Sequence, residues 1–318
     1  QYTLIMLSTI LKISGRELVS IFPWKMGIVA FMAFPELIKE EGFYEATSKI
    51  VEDEFFDIIE AQNYPEDEWK RAKELLESKD VEFRLALQLP ILKNKLNLNS
   101  LDENTRRSVV KRLIDELEIA HSRGIVNAAI CSGPMPPPDK VKESLRALKQ
   151  TIVELIDYCK SVNMSLVIET FDQKYDKKLL LGGIDTAAGL IREIRKETGY
   201  DMGILWDLSH APLLDEKPEV LKEYSDVVKH IHIGCAKETP EGLKDTHPVF
   251  YTRGAINDVD DVARLFTVLH EIGYKGAVTI EVKPEEHQTS LEIINTAKGV
   301  VLQAFTKALK KIIGFEYR

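Results

Sequence analysis

Apolar runs and amphipathic stretches alternate along this chain at a regular interval. Residues 26–34 (MGIVAFMAF) form the first apolar run, which predicts a strand, and a helical stretch follows over 35–54. Further strand-like runs lie at 55–63, 81–89, 125–133, 165–170, 203–208, 227–235 and 277–282. Helix-like segments separate them at 65–78, 139–161, 185–198, 217–224 and 258–272, with a last one over 290–309. Another helix carries TRRSVVKRLIDELEIAHSRG and stops at Gly124, a natural C-terminal cap. In 65–78 a proline and acidic residues come first and basic residues later, the order that suits a helix dipole. On 139–161 Leu145, Leu148, Ile152, Leu155 and Ile156 recur at helical spacing.

Strands that alternate with helices imply a parallel sheet of the α/β class. Eight such units that close on themselves give a (β/α)8 TIM barrel. No linker rich in Gly, Ser or Pro splits the chain, so one catalytic domain is expected over 25–318, after an N-terminal extension over 1–24. An open doubly wound sheet is the second choice. No Gly-rich phosphate fingerprint follows the first strand, and no nucleotide cofactor is expected. The extension holds an apolar run over 2–13, too short to span a bilayer and lacking the basic lead of a signal peptide. It predicts an extra strand or helix packed near the bottom of the barrel, and no membrane association.

Charge narrows the function. The chain carries a formal net charge of −9, which opposes a duplex nucleic-acid binder. Cys131, Cys159 and Cys235 are an odd, sparse set without paired spacing, which fits a reducing, cytoplasmic compartment. A homo-oligomer stays open.

The C-terminal ends of barrel strands face the active site. Four of these ends carry groups that an apolar core rejects. Glu169 closes the fifth strand, Asp207 the sixth and Glu281 the eighth, while His232 lies in the seventh. Three carboxylates and an imidazole that converge need a positive charge among them. One divalent metal ion supplies it, and this ligand mix suits Mn, Mg, Co, Fe or Zn. A second cluster comprises His210, three residues after Asp207, with Asp245 and His247. It either holds a second metal or faces substrate hydroxyls, with His210 read first as a substrate ligand. His230 points to the same face as His232, one layer deeper, and reads as a supporting residue. Lys283, Lys177 and Lys178 are candidate contacts for an anionic group, and Phe31 and Phe34 a candidate apolar wall. Trp206 is expected to pack outward, and His121, His270 and His287 to lie at the surface.

The segments ETFD with Lys177 and Lys178, WDLSHAPLL, HIHIG, DTHP and IEVKP resemble the xylose-isomerase-like barrel superfamily, in its sugar phosphate isomerase/epimerase group with the ketose 3-epimerases. The resemblance runs from about Met26 to Pro284. It implies one divalent ion on Glu169, Asp207, His232 and Glu281, with Glu169 and Glu281 also exchanging the substrate proton. It implies that His210 helps to hold the sugar, and Asp245, His247 and Lys283 are expected beside it. The chain departs from the pattern in HPVFYTRG, where Arg253 is displaced. Apurinic endonucleases share the superfamily and need further histidines at the ends of strands three and four, yet here those ends read LQLP and CSGP, with Gln88 and Ser132 in the region.

The expected function is therefore a metal-dependent isomerase or epimerase. It acts on a ketose or sugar-like polyol through an enediolate, with the two glutamates as acid and base. The alternatives are a metal-dependent hydrolase or lyase (apurinic-endonuclease-like or a dehydratase) and a non-catalytic sugar-binding barrel. The partner is a small sugar, and no nucleic acid is expected.

Overall fold

The computed structural model describes residues 8–13 and 15–314. Parts of the expected extension and of the chain's C-terminal end, residues 1–7, 14 and 315–318, lie outside the described residues. Strands β1 (Ser8–Ile13) and β2 (Arg16–Ile21) pair antiparallel in a hairpin separate from the main sheet. The main sheet begins with β3 (Met26–Val29), β4 (Ile58–Ala61), β5 (Glu82–Ala86) and β6 (Asn127–Cys131). It continues with β7 (Ser165–Glu169), β8 (Gly203–Asp207) and β9 (Val228–Ile233). A small antiparallel pair, β10 (Lys237–Thr239) and β11 (Gly242–Lys244), occupies the loop after β9. Strand β12 (Val278–Ile280) then pairs with both β9 and β3 and closes an eight-stranded parallel barrel. The fold is thus a (β/α)8 barrel.

Short turns α1 (Ala30–Ala33) and α4 (Gln88–Lys93) follow β3 and β5. The longer helices are α2 (Phe43–Asp53), α3 (Glu66–Ser78), α5 (Glu103–Ser122), α6 (Val141–Ser161), α7 (Ile184–Thr198), α8 (Val259–Glu271) and α9 (Ser290–Ile312). Both α8 and α9 start with reciprocal caps, Asp258 with Asp261 and Thr289 with Glu292, which satisfy backbone N–H groups that no turn precedes. The hairpin rests on α9, where the Thr9 and Thr306 hydroxyls lie 2.7 Å apart. No helix among the described residues is long and apolar enough to cross a membrane.

Several element limits differ from the sequence pattern. The run 26–34 is strand only to Val29, where pairing with β4 ends, and α1 follows. Ala30, Phe31 and Ala33 are buried as helix, and a continuous apolar run looks the same in either state. The stretch 35–54 divides into a 3₁₀ turn (Pro35–Lys39) and α2, with Glu40 and Gly42 left-handed between them. The run 81–89 stops as strand at Ala86, since only Leu85 and Ala86 pair with β6. Residues 217–224 hold a 3₁₀ turn (Pro218–Lys222) where a helix was expected. The last barrel strand is Val278–Ile280, so Glu281 sits one residue past it.

An aromatic knot fastens the closing seam. Phe22 contacts Trp24, Phe266 and Phe305 edge-on at 5.1–5.4 Å between ring centres. Trp24 donates its indole N–H to the Tyr274 carbonyl oxygen at 3.0 Å. Phe266 is fully buried. Replacing Phe266 by Ala is expected to cost about 3–5 kcal/mol, read as a lower denaturant midpoint with an unchanged slope.

Candidate active site and metal centre

Strands β7, β8, β9 and β12 are consecutive around the barrel. Their registers bring Asp207 beside His232 and place Thr279 opposite His232, so Glu281 emerges next to both. One ligand atom each from Glu169, Asp207, His232 and Glu281 lies within 4.8 Å of all the others, and all four residues are buried. The structure thus brings together the four residues expected at the rim.

Glu169 and Asp207 each have one oxygen committed to a hydrogen bond and one without. Gln88 donates its amide N–H to Glu169 Oε2 at 2.8 Å, and Glu169 Oε1 is buried without a hydrogen bond. The Ser209 backbone N–H donates to Asp207 Oδ1 at 2.7 Å, and Asp207 Oδ2 has no such partner. His232 donates from Nε2 to Glu60 Oε2 at 2.8 Å and, in its protonated form, from Nδ1 to Glu281 Oε2; with Nε2–H held by Glu60, Nδ1 is the nitrogen that would turn to a cation once deprotonated. Nδ1 lies 2.7 Å from Glu281 Oε2 and 4.0 Å from Glu169 Oε1. Buried oxygens without donors beside a pre-oriented imidazole are a donor set that fits a divalent cation.

The charges around this centre are strongly coupled. Burial pushes the Glu169 carboxyl up to about 8; Glu281 and Asp207 add to the rise, against His232 and His210. Burial also works against ionised Glu281, but His247 and His232 outweigh it and hold the pKa below the ordinary value. His232 loses to burial but gains more from Glu60 and Glu281, so its pKa is raised well above normal. Glu60 itself is buried, yet His230 and His232 hold it well below the usual carboxylate range.

The second cluster adjoins the first. His210 donates from Nδ1 to the Thr170 carbonyl oxygen at 2.8 Å. Its Nε2 then faces Asp245 Oδ1 at 3.2 Å and Asp207 Oδ2 at 3.5 Å. His247 Nε2 lies 2.8 Å from Asp245 Oδ1. Asp207, His210 and His247 also offer ligand atoms within 4.8 Å of one another. His247 has φ of 50°, a left-handed conformation that costs energy for any residue except glycine. It is held by the short bridge from Pro248 to Lys283, whose backbone N–H donates to the His247 carbonyl oxygen at 2.7 Å.

A cavity of about 430 Å³ opens over this centre. Phe31, Met32, Leu89 and Phe171 line it, as do Lys177 and Lys283. Phe34 and Lys178 do not line it. Lys177 donates to the Asp245 carbonyl oxygen at 3.0 Å and so steadies the second cluster. Trp206 is buried, and its indole N–H donates to Glu216. His121, His270 and His287 are exposed. Ser132 accepts the Leu181 backbone N–H and takes no part in the centre.

Two participants were missed in the sequence pattern. Glu60 accepts hydrogen bonds from His232, from His230 at 2.5 Å and from the Thr279 hydroxyl at 2.5 Å. The signal was available, because Glu60 is a lone carboxylate inside the apolar run FFDIIEAQN. Gln88 has no partner near it in the chain, since its bond to Glu169 spans 81 positions.

Comparison with known proteins agrees with this architecture. The chain belongs to the xylose isomerase-like TIM barrel family, whose model matches residues 36–297. Among solved structures it is similar to a D-tagatose 3-epimerase-like protein, with TM-score 0.67 and 19% identity over 91% of this chain and 99% of that one. It is similar to the IolI protein with a bound zinc atom, with TM-score 0.67 and 18% identity over 89% of this chain and 99% of the other. It is also similar to a D-psicose 3-epimerase with D-tagatose from Clostridium cellulolyticum, with TM-score 0.64 and 15% identity over 90% and 98%. At these identities the likeness is one of fold. No sequence among curated proteins matches the chain.

Two substitutions test the support of the centre. Glu60→Gln removes the charge that orients His232 and is expected to weaken Zn or Mn binding about 10–100-fold in a chelator competition. Gly234→Ala would place a Cβ 2.3 Å from the Glu281 carbonyl oxygen and 2.7 Å from Ser209 Oγ. Backbone cannot yield as a side chain can, so this change is expected to cost about 1–3 kcal/mol and to weaken the same metal binding.

Proposed function

We propose that the chain is a divalent-metal-dependent epimerase or isomerase of a ketose or related polyol. The observation that carries the reading is the convergence of Glu169 and Glu281 on one buried centre, with Asp207 and His232 between them. These four residues would hold the ion. Bound there, it supplies Lewis-acid polarisation of the substrate carbonyl.

The chain's own groups do the remaining work. Glu169 and Glu281 approach the substrate from different strands, so one takes the carbon-bound proton and the other returns a proton to the opposite face. His210 and His247, tied together through Asp245, face the substrate hydroxyls. The apolar side of the cavity at Phe31 and Phe171 covers a sugar face and keeps water from the enediolate. The similar epimerase folds support this reading over hydrolysis. So do the third and fourth strand ends, which read LQLP and CSGP and carry no histidine.

Glu281→Gln is expected to lower ketose turnover, and proton–deuterium exchange at the reacting carbon, by about 10²–10⁴-fold with the fold intact. Unchanged exchange would refute the two-glutamate mechanism. The raised Glu169 pKa sets a second expectation. Below about pH 8 the folded chain keeps a proton on Glu169 that a bound cation must displace. Affinity for Mn should therefore rise as pH increases toward 8. Calorimetry at pH 7 in two buffers of different ionisation enthalpy should show net proton release.

A further inference from the structure

The barrel has a second cavity, at the end opposite the metal centre. Its volume is about 460 Å³, and it lies among the first residues of the barrel strands. Barrel interiors are ordinarily filled by layers of branched side chains. Here the small residues Ala128, Ala129, Ser165, Gly276 and Ala277 border the space alongside Leu85, Leu166 and Val167. Gly276 cannot be enlarged without conflict, since a Cβ there would meet the Lys229 carbonyl oxygen at 2.5 Å.

The charge at this mouth runs against the chain's overall negative balance. Lys25, Arg84, Lys229 and Lys275 border the cavity. Lys25 and Arg84 share one carboxylate, Glu82, at 3.2 and 2.8 Å. Lys229 and Arg195 share Asp201, at 2.8 and 3.0 Å. Asp57 spends an oxygen on the Met26 backbone N–H at 2.8 Å. Lys275 has no hydrogen-bond or ion-pair partner among the described residues. Among the residues that border the cavity, Lys25, Arg84, Lys229 and Lys275 outnumber the carboxylates Glu60 and Asp201, and both of these are already engaged, Glu60 by His230 and Asp201 by Lys229.

His230 provides an independent observation. It borders the same cavity, is 4% exposed, and its Nδ1 has no hydrogen-bond partner. Its Nε2 is committed to Glu60. A buried ring nitrogen without a partner is costly unless a ligand or water meets it. With Nε2–H donated to Glu60, Nδ1 is the accepting nitrogen and calls for an O–H or N–H donor.

We propose that this N-terminal mouth is a ligand site for a small phosphate monoester that carries a hydroxyl group. The phosphate lies among Lys229, Lys275, Lys25 and Arg84, where excess positive charge and several N–H donors suit a dianion. The hydroxyl reaches inward and donates to His230 Nδ1. The site is separate from the metal centre, and it adjoins that centre through Glu60, which accepts from both His230 and His232.

The test is calorimetric titration with 3-phosphoglycerate and, separately, with inorganic phosphate. The proteins are the wild type, the double variant Lys229→Ala/Lys275→Ala and the control Lys283→Ala at the opposite mouth. Thermal melts establish that each is folded. The wild type and the control are expected to bind one 3-phosphoglycerate per chain, with affinity in the double variant about tenfold lower or worse. Inorganic phosphate should bind more weakly than 3-phosphoglycerate. No binding to the wild type at millimolar concentration, or equal affinity in the double variant, would overturn the site. Loss of binding in Lys283→Ala would place the ligand at the metal-centre mouth and overturn it too. Equal affinity for the two probes would overturn the hydroxyl contact to His230.

Discussion

Glu169, Asp207, Asp245 and Glu281 are all buried at one end of a closed barrel, with Glu60 just beneath them. Ionised carboxylates in such a place repel one another and lose their hydration, a cost of several kcal/mol each unless opposite charge is supplied. Much of the local structure answers this constraint. Imidazoles of His210, His232 and His247 are placed among the acids, and amide and backbone donors tie one oxygen of Glu169 and of Asp207. The inward oxygens that remain give a cation a place to bind. On the proposed function, the same crowding that would destabilise an empty core would become metal affinity.

The scaffold delivers this arrangement through register. A parallel barrel sets adjacent strands at fixed offsets, so residues from four consecutive strands meet at one rim without any loop having to reach across. Glu60 then extends order downward, since it holds His232 from below while it is itself held by His230 and Thr279. Support of this type keeps a metal-binding imidazole in one orientation. The loop after β9 acts from above. Lys177, Asp245 and the left-handed His247 form a cross-linked cover, and the Pro248–Lys283 bridge joins that cover to the strand end that bears Glu281.

The rim was legible in the sequence because an ionisable residue that closes an apolar β run has few inexpensive explanations. Four such residues on successive strands stood out for that reason. Glu60 carries the same signal, but it precedes the apparent strand end in FFDIIEAQN, so its position in the run does not mark it as a rim residue. Gln88 lies past its strand in α4, and nothing near it in the chain tells that it serves Glu169. Element limits failed where apolar runs continue from strand into buried helix, as at Ala30–Ala33. The cavity at the N-terminal mouth had no sequence signature. It arises from small side chains on several strands, and volume shared across a barrel has no local pattern.

The account rests on a single divalent ion at the centre of Glu169, Asp207, His232 and Glu281. Elemental analysis of freshly purified protein, with Asp207→Ala alongside, tests this most directly. The account predicts about one divalent ion per wild-type chain and its loss in the variant. No ion, even after reconstitution with Mn, Co or Zn, would contradict the central claim. Two ions per chain would contradict the reading of His210, Asp245 and His247 as groups that face the substrate.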